Sequence, residues 1–167
     1  MTQYARPDAD TSVGNWAASS GSSRYAMIDE SSADDNDYIS VTSYGSAETI
    51  VLGLSDVSAP DSGTRTVVIR ASEDSGFDGV YLAVTLKEGS TSKGTQTFST
   101  GFGSTTNLSF NITSSISDYS NLNLTIAATD SMGMGATAKV YQAYLSVPDA
   151  AAAEEADASP AFLLFVD

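Results

Sequence analysis

Apolar and polar side chains alternate with a period of two in the middle of the chain. Residues 80–88 place Val80, Leu82, Val84 and Leu86 on one side of an extended backbone and mainly polar residues on the other. The same alternation recurs in residues 107–112 and 121–129. Because successive side chains of a β-strand point to opposite faces, this pattern predicts three half-buried strands.

Four other segments have the composition of strands. Residues 49–54 and 64–71 are rich in β-branched side chains, and residues 137–147 form a longer run that ends at Pro148. Residues 93–99 follow the turn-forming stretch 89–92, which predicts a hairpin with residues 80–88. No strong amphipathic helix interrupts the series, so the pattern predicts an all-β fold, an antiparallel β-sandwich or jelly roll.

The two ends of the chain depart from the regular pattern, so the predicted sandwich has irregular N-terminal and C-terminal arms. Residues 1–48 are predicted to form an N-terminal arm with first strands at 24–28 and 37–42, packed on a core of residues 49–148. The only tryptophan, Trp16, is expected to pack against the sandwich. Residues 149–167 are predicted to form an acidic, alanine-rich link and an apolar C-terminal segment.

Composition narrows the possible functions. The 21 acidic and 7 basic residues give a net charge of −14, which repels nucleic acids and anionic membranes. No apolar run approaches the about 18 to 20 residues that span a bilayer, and the first residues lack the apolar region of a secretory signal. We therefore expect no nucleic acid partner, no membrane association and synthesis in the cytoplasm.

The chain has neither histidine nor cysteine, whereas serine and threonine fill 44 of 167 positions. Most acid–base, thiol and transition-metal sites are thereby excluded. The densest carboxylates are Asp29, Glu30, Asp34, Asp35 and Asp37, but catalysis needs two at a defined separation, which a sequence does not show. The segment 34–37 fits either a calcium loop or an Asx-rich turn, and the turn is favoured. We predict no enzyme activity, no cofactor and no metal.

Two other motifs have competing interpretations. Gly133-Met134-Gly135 lacks the lysine and helix start of a phosphate loop, so it is predicted to be a hairpin or sheet-corner turn. Tyr81, Phe98 and Phe110 lie on predicted strands, where aromatic rings either line a sugar-binding face or form core and cross-strand pairs. The second interpretation is favoured for these three rings.

Two stretches of sequence resemble a known class of proteins. They comprise Arg6-Pro7-Asp8-Ala9-Asp10, Gly14-Asn15-Trp16, Tyr25, Ile28-Asp29-Glu30 and Asp37-Tyr38-Ile39, and later residues 116–122 and 144–148. This combination resembles small virion proteins of tailed bacteriophages that have a jelly-roll-like domain. The resemblance implies a capsid decoration or cement protein on the virion surface, a homotrimer bound to the major capsid protein. The alternatives are a carbohydrate-binding module or tail-associated adhesin, and a carboxylate-dependent hydrolase.

On this hypothesis the two ends of the chain make the contacts with a partner. The candidate interface residues are Tyr4, Arg6, Trp16, Phe162, Leu163, Leu164 and Phe165. The last four are consecutive apolar side chains, and leaving each in water forgoes about 1.5 to 3 kcal/mol. They are therefore expected to be covered, either as the last strand of their own sandwich or by addition to a neighbouring chain.

Overall fold

A computed structural model describes residues 2–60, 62–74, 79–99 and 103–150. The predicted contact residues Phe162, Leu163, Leu164 and Phe165 lie outside these ranges, as does almost all of the acidic link. The described residues form two antiparallel sheets, which confirms the predicted all-β sandwich. No helix within the described ranges has the length and apolar character needed to cross a membrane.

The first sheet is built around one long strand. In spatial order it contains β3 (Ala17–Ala18), β4 (Ile39–Ser43), β11 (Ala136–Pro148), β6 (Arg65–Asp74) and β9 (Thr106–Ile112). Strand β1 (Thr2–Ala5) also pairs with β11, beyond the part that pairs with β4. The 13 residues of β11 are thus flanked by β4 and β1 on one side and by β6 on the other.

The second sheet holds β7 and β10, two of the three strands with the clearest alternation in sequence. Its spatial order is β2 (Pro7–Ser12), β5 (Glu48–Leu54), β10 (Leu122–Asp130), β7 (Val80–Glu88) and β8 (Thr91–Phe98). Strand β7 has the predicted bounds, and β8 is its predicted hairpin partner. Because Leu82, Leu86, Leu124 and Ile126 are buried, the sheet packs its apolar face against the first sheet.

The first 48 residues supply strands to both sheets. Strand β2 pairs with β5 of the second sheet, whereas β1, β3 and β4 belong to the first. The predicted strand at residues 37–42 corresponds to β4, but the predicted strand at 24–28 is wrong. Residues Tyr25–Met27 form a single 3-10 turn, because the carboxylate of Asp10 accepts the backbone N–H groups of Arg24 (2.9 Å) and Tyr25 (2.8 Å).

One carboxylate ties a long loop to the second sheet. Glu88, at the end of β7, forms an ion pair with Lys93 at 2.6 Å and accepts the backbone N–H of Asp118 at 3.0 Å. It also accepts hydrogen bonds from the hydroxyl and backbone N–H of Ser117. These partners, Lys93 first, lower the pKa of Glu88 to about 2.

We expect stability to depend on the ionisation of Glu88 in acid. Because its pKa in the folded chain lies below the ordinary value of 4.5, the carboxylate stabilises the fold above that value. The contribution falls as the pH drops from about 4.5 towards 2. Urea unfolding at several pH values should show a smaller acid-dependent loss in Glu88→Gln than in the wild type. Equal slopes for the two proteins would contradict this assignment.

Candidate functional site

Exposed apolar side chains cluster at one end of the sandwich. The described part of the chain exposes five large hydrophobic side chains, and four of them lie where β4 and β10 end: Tyr44, Tyr81, Met132 and Met134. Met134 and Tyr44 are each 71% exposed. Because these side chains add little to the core, this end of the sandwich is a candidate contact surface. We call this region the Tyr44 end.

The ring of Tyr44 lies against the backbone of a glycine. A Cβ atom added at Gly135 would stand only 2.6 Å from Cε1 of Tyr44, and Gly135 has a φ of +94°. Glycine is therefore required at this position, both for its backbone conformation and for the close approach of the ring. The glycine backbone supports one side of the ring, while most of the ring surface stays open to solvent.

A buried carboxylate shapes the loop that carries Gly135. Asp130, 3% exposed, ends β10, and its carboxylate accepts the backbone N–H of Met132 at 2.9 Å and of Gly135 at 2.8 Å. These backbone hydrogen bonds, that of Met132 first, hold the pKa of Asp130 below its usual range. The backbone N–H of Asp130 in turn donates to Ser43 Oγ, whose hydroxyl donates to the carbonyl of Ser46. The loops on both sides of Tyr44 are thus connected through one buried network.

A row of polar side chains lies next to Tyr44 on the outer face of the first sheet. Thr137 of β11 is opposite Thr42 of β4 on one side and Asp74 of β6 on the other. The hydroxyls of Thr42 and Thr137 are hydrogen-bonded at 2.8 Å, and Thr42 and Asp74 are exposed. Hydroxyl and carboxylate groups therefore lie beside the open aromatic ring.

A second aromatic group closes this row at its far end. Tyr38 contacts Tyr141 with their ring centroids 5.7 Å apart, and Lys139 Nζ lies 5.2 Å from the Tyr38 centroid. Six residues separate Tyr38 from Tyr44, which corresponds to about 20 Å of extended chain. We call the surface formed by Tyr44, Thr42, Thr137, Asp74, Lys139 and Tyr38 the tyrosine strip. It is an extended surface with aromatic rings at both ends and hydrogen-bonding groups between them.

The candidate interface residues Tyr4 and Arg6 lie together in a different place. The Tyr4 ring is 45% exposed and packs edge-on against Tyr144, with centroids 5.4 Å apart. The Arg6 guanidinium lies 5.1 Å from the Tyr4 centroid and donates to the carbonyl of Glu30 at 2.9 Å. This small cation–π cluster is tied to the chain itself, and the Tyr4 ring remains partly accessible.

The third described candidate, Trp16, is not at the surface. Its side chain is 1% exposed, and its indole N–H donates to the carbonyl of Glu48 at 3.0 Å. The ring thus packs against the sandwich, as the sequence predicts, and it presents no surface to a partner. Phe98 of the second sheet and Phe110 of the first are partly buried against the core and contact each other, with centroids 6.4 Å apart, so these two rings form a core pair between the sheets.

The acidic segment is used for local structure. Asp34 accepts both the backbone and the side-chain N–H groups of Asn36, which is the geometry of an Asx turn. Asp35 forms a two-point ion pair with Arg70, with both N–O distances 2.7 Å. Burial, together with the nearby carboxylates of Asp29, Asp37 and Asp34, raises the pKa of Glu30. Among the residues that the structure describes, no three carboxylates converge in a way that would hold a metal ion.

Sequence reasoning missed the residues that form the tyrosine strip. Tyr44 falls in a serine-rich link that has no hydrophobic period, so the sequence gives it no predicted role. The predicted sheet-corner turn at residues 133–135 is confirmed, since it connects β10 of one sheet to β11 of the other. The pairing of an isolated tyrosine with a glycine on a neighbouring strand could have indicated this surface, but only with the order of the strands already known.

Comparisons with known proteins support the fold. No protein-family model matches the sequence, and a search of curated proteins found no match. The C-terminal CBM6 of LamC, a marine laminarinase from Zobellia galactanivorans, is similar in structure with a TM-score of 0.51 and 12% identity, covering 89% of this chain and 100% of that one. A Stig cyclase, Fisc from Fischerella sp. TAU, has a TM-score of 0.50 and 14% identity, covering 89% and 74%.

A third structure, a family 16 carbohydrate-binding module, has a TM-score of 0.49 and 11% identity over 79% of this chain and 85% of that one. The prediction of a capsid decoration protein is contradicted, because the CBM6 domain of LamC, with its TM-score of 0.51, agrees better with the alternative prediction of a carbohydrate-binding module. The homotrimer, the capsid protein partner and the virion location depended on the same resemblance and stay untested predictions. At identities this low the likeness shows the fold alone: the chain has the β-sandwich fold of the CBM6 domain of LamC.

Proposed function

We propose that this protein is a carbohydrate-binding module that binds a neutral oligosaccharide or polysaccharide chain along the tyrosine strip. The observation that carries the proposal is the Tyr44 ring, 71% exposed and supported from behind by the Gly135 backbone. A sugar ring has an apolar C–H face and a polar edge of hydroxyls. A rigid aromatic surface complements the face, while nearby polar groups complement the edge.

The polar groups beside the ring suit this role. Thr42 and Thr137 both donate and accept hydrogen bonds, and the Asp74 carboxylate accepts two or more from neighbouring hydroxyls. The second ring, Tyr38, stands about 20 Å along the strand, so an extended chain contacts both rings at once. Because each sugar unit in contact with the surface adds to the affinity, such a surface binds the interior of a polysaccharide chain more tightly than a single sugar.

We further propose that binding is the whole of the activity at this surface. Glycoside hydrolysis requires two carboxyl groups at a defined separation across the scissile bond. Asp74 is the one carboxylate among the residues of the tyrosine strip. The Asp130 carboxylate accepts hydrogen bonds from the backbone N–H groups of Met132 and Gly135. Glu73 accepts the backbone N–H of Val80 at 2.7 Å, so it too has a structural partner.

Affinity electrophoresis through gels that contain neutral polysaccharides tests the proposal. The gels carry β-1,3-glucan, β-1,4-glucan, xylan or galactan, one per gel. We expect the wild type to be retarded by at least one of them. Tyr44→Ala should lose about tenfold or more of that affinity, as truncation of a central aromatic contact does.

Tyr4→Ala is the matched control, because Tyr4 is an exposed tyrosine outside the strip. It should migrate as the wild type does in the same gels. The proposal is overturned if no neutral polysaccharide retards the wild type, or if Tyr44→Ala and Tyr4→Ala bind equally well. Circular dichroism of both variants excludes unfolding as the cause of any loss.

A further inference from the structure

A groove lies on the outer face of the second sheet, at the end opposite to Tyr44. It encloses about 480 Å³, and its walls include Thr11, Val51, Gly53, Lys87, Ser90 and Asn123. Gly53, Asn123 and Lys87 are neighbours across three adjacent strands, so they form one transverse row. The groove is thus built on the rigid sheet and is bordered by the β7–β8 turn.

Lys87 differs from every other basic side chain. Arg70 and Lys93 form ion pairs, Arg24 donates to backbone carbonyls, and Arg6, Arg65 and Lys139 contact tyrosine rings. All seven basic residues lie within the described ranges. Of these, Lys87 alone has no hydrogen bond, ion pair or ring contact to another described residue.

The Lys87 ammonium has no carboxylate partner among the described residues, although acidic residues outnumber basic ones in the sequence by 21 to 7. The side chain is half-buried in the groove, and the other residues that line the groove are uncharged. The side-chain N–H of Asn123 donates to the carbonyl of Gly89 at 2.9 Å, which fixes the amide beside Lys87. An ammonium held in a polar groove favours an anionic ligand.

We propose that the groove binds an acidic saccharide, a sugar that carries a carboxylate or a sulfate, with Lys87 as the partner of the acidic group. Thr11, Ser90 and Asn123 supply hydrogen bonds to its hydroxyls. The Asp8 carboxylate borders the groove on the β2 side, 3.3 Å from where a Cβ of Gly53 would lie. It repels anions there, so the acidic group is directed towards β7. This second site goes beyond the proposed function.

Calorimetric titration of the full chain tests this site. The ligands are a galacturonate oligosaccharide, a sulfated galactan oligosaccharide and a neutral galactan oligosaccharide of equal length. At low ionic strength we expect at least one acidic ligand to bind about tenfold or more tightly than the neutral one, and the difference to shrink in about 0.5 M salt. Lys87→Met should abolish the difference, and Lys87→Arg should retain most of it. Arg70→Met, the matched control on the other sheet and outside the tyrosine strip, should leave it unchanged.

Comparison of the two acidic ligands shows whether the groove prefers a carboxylate or a sulfate. Preference for either, or equal binding of both, supports the site as long as Lys87→Met removes it. The site is overturned if neither acidic ligand exceeds the neutral one, or if Lys87→Met and the wild type bind equally. Tyr44→Ala should leave acidic binding intact, so this result is independent of the neutral polysaccharide result.

Discussion

Replacing Trp16 by alanine should lower the free energy of unfolding by about 3 to 5 kcal/mol, the usual cost of removing a buried aromatic side chain. The ring is 1% exposed and belongs to the main hydrophobic core. The truncation leaves a large cavity and also removes the indole hydrogen bond to the Glu48 carbonyl. That carbonyl then lacks its side-chain donor, which adds to the loss.

The turn before Trp16 shows why the surroundings cannot fill the cavity. Gly14 has a φ of +51°, and a Cβ atom there would lie 2.6 Å from the carbonyl oxygen of Thr49. Asn15 donates to the Glu48 carboxylate at 2.8 Å. The turn is therefore held against β5 at two positions just before Trp16, and a collapse that would close the cavity is restricted.

Urea denaturation followed by circular dichroism measures this effect, with Tyr81→Ala as the control. Tyr81 is 40% exposed, so its removal should cost much less than that of Trp16. Light scattering of the same samples separates the two roles predicted for Trp16. If Trp16→Ala keeps the wild-type stability but changes the size of the particle in solution, Trp16 is an interface residue and its assignment to the core is wrong.

The sequence predicts β7 and β10 of the second sheet well because the alternation within each strand shows which of its faces is buried. Their inward-facing residues are apolar and buried, except for Glu88 and Asp130 at the strand ends. The prediction needs no knowledge of the neighbouring strand. The first 48 residues are harder, because β1 and β2 are short and have no apolar alternation, and their pairing with β11 and β5 is long-range.

The tyrosine strip also could not be predicted from the sequence, because its residues come together only when the strands pair. Its members come from three strands, and residues 42 and 137 are 95 positions apart. Only the order of β4, β11 and β6 in the sheet brings Thr42, Thr137 and Asp74 into one row. The resemblance to virion proteins depended on short runs of acidic and aromatic residues, which do not specify how the strands are ordered. The fold class was therefore predictable, whereas the surface that we propose as the binding site was not.

Asp130→Asn should reduce binding of neutral polysaccharide about tenfold or more, although Asp130 itself is buried and does not belong to the strip. The carboxylate oxygens accept the N–H groups of Met132 and Gly135, one on each oxygen. In asparagine one oxygen becomes an NH₂ group, which faces a backbone donor instead of accepting from it. The loop must then shift, and with it the Gly135 backbone that supports the Tyr44 ring.

The same argument gives a pH dependence. The pKa of Asp130 is held below its usual range by the loop N–H groups, so the carboxylate persists through mild acid. Above the ordinary aspartate pKa the loop keeps its full support, and as the pH falls through the lowered pKa, protonation weakens the loop and polysaccharide binding together. Asp130→Asn should not show this acid-dependent loss, because its side chain does not titrate.

Asp118→Asn is the matched control, since Asp118 also accepts a backbone N–H in a turn, that of Ser120 at 3.0 Å, but lies far from the Tyr44 end. It should bind polysaccharide as the wild type does. Hydrogen exchange measured by NMR adds a local readout: the amides of Met132 and Gly135 should exchange faster in Asp130→Asn, while those of β7 keep their protection. If Asp130→Asn binds as tightly as the wild type and these two amides exchange at the wild-type rate, the carboxylate does not position Tyr44.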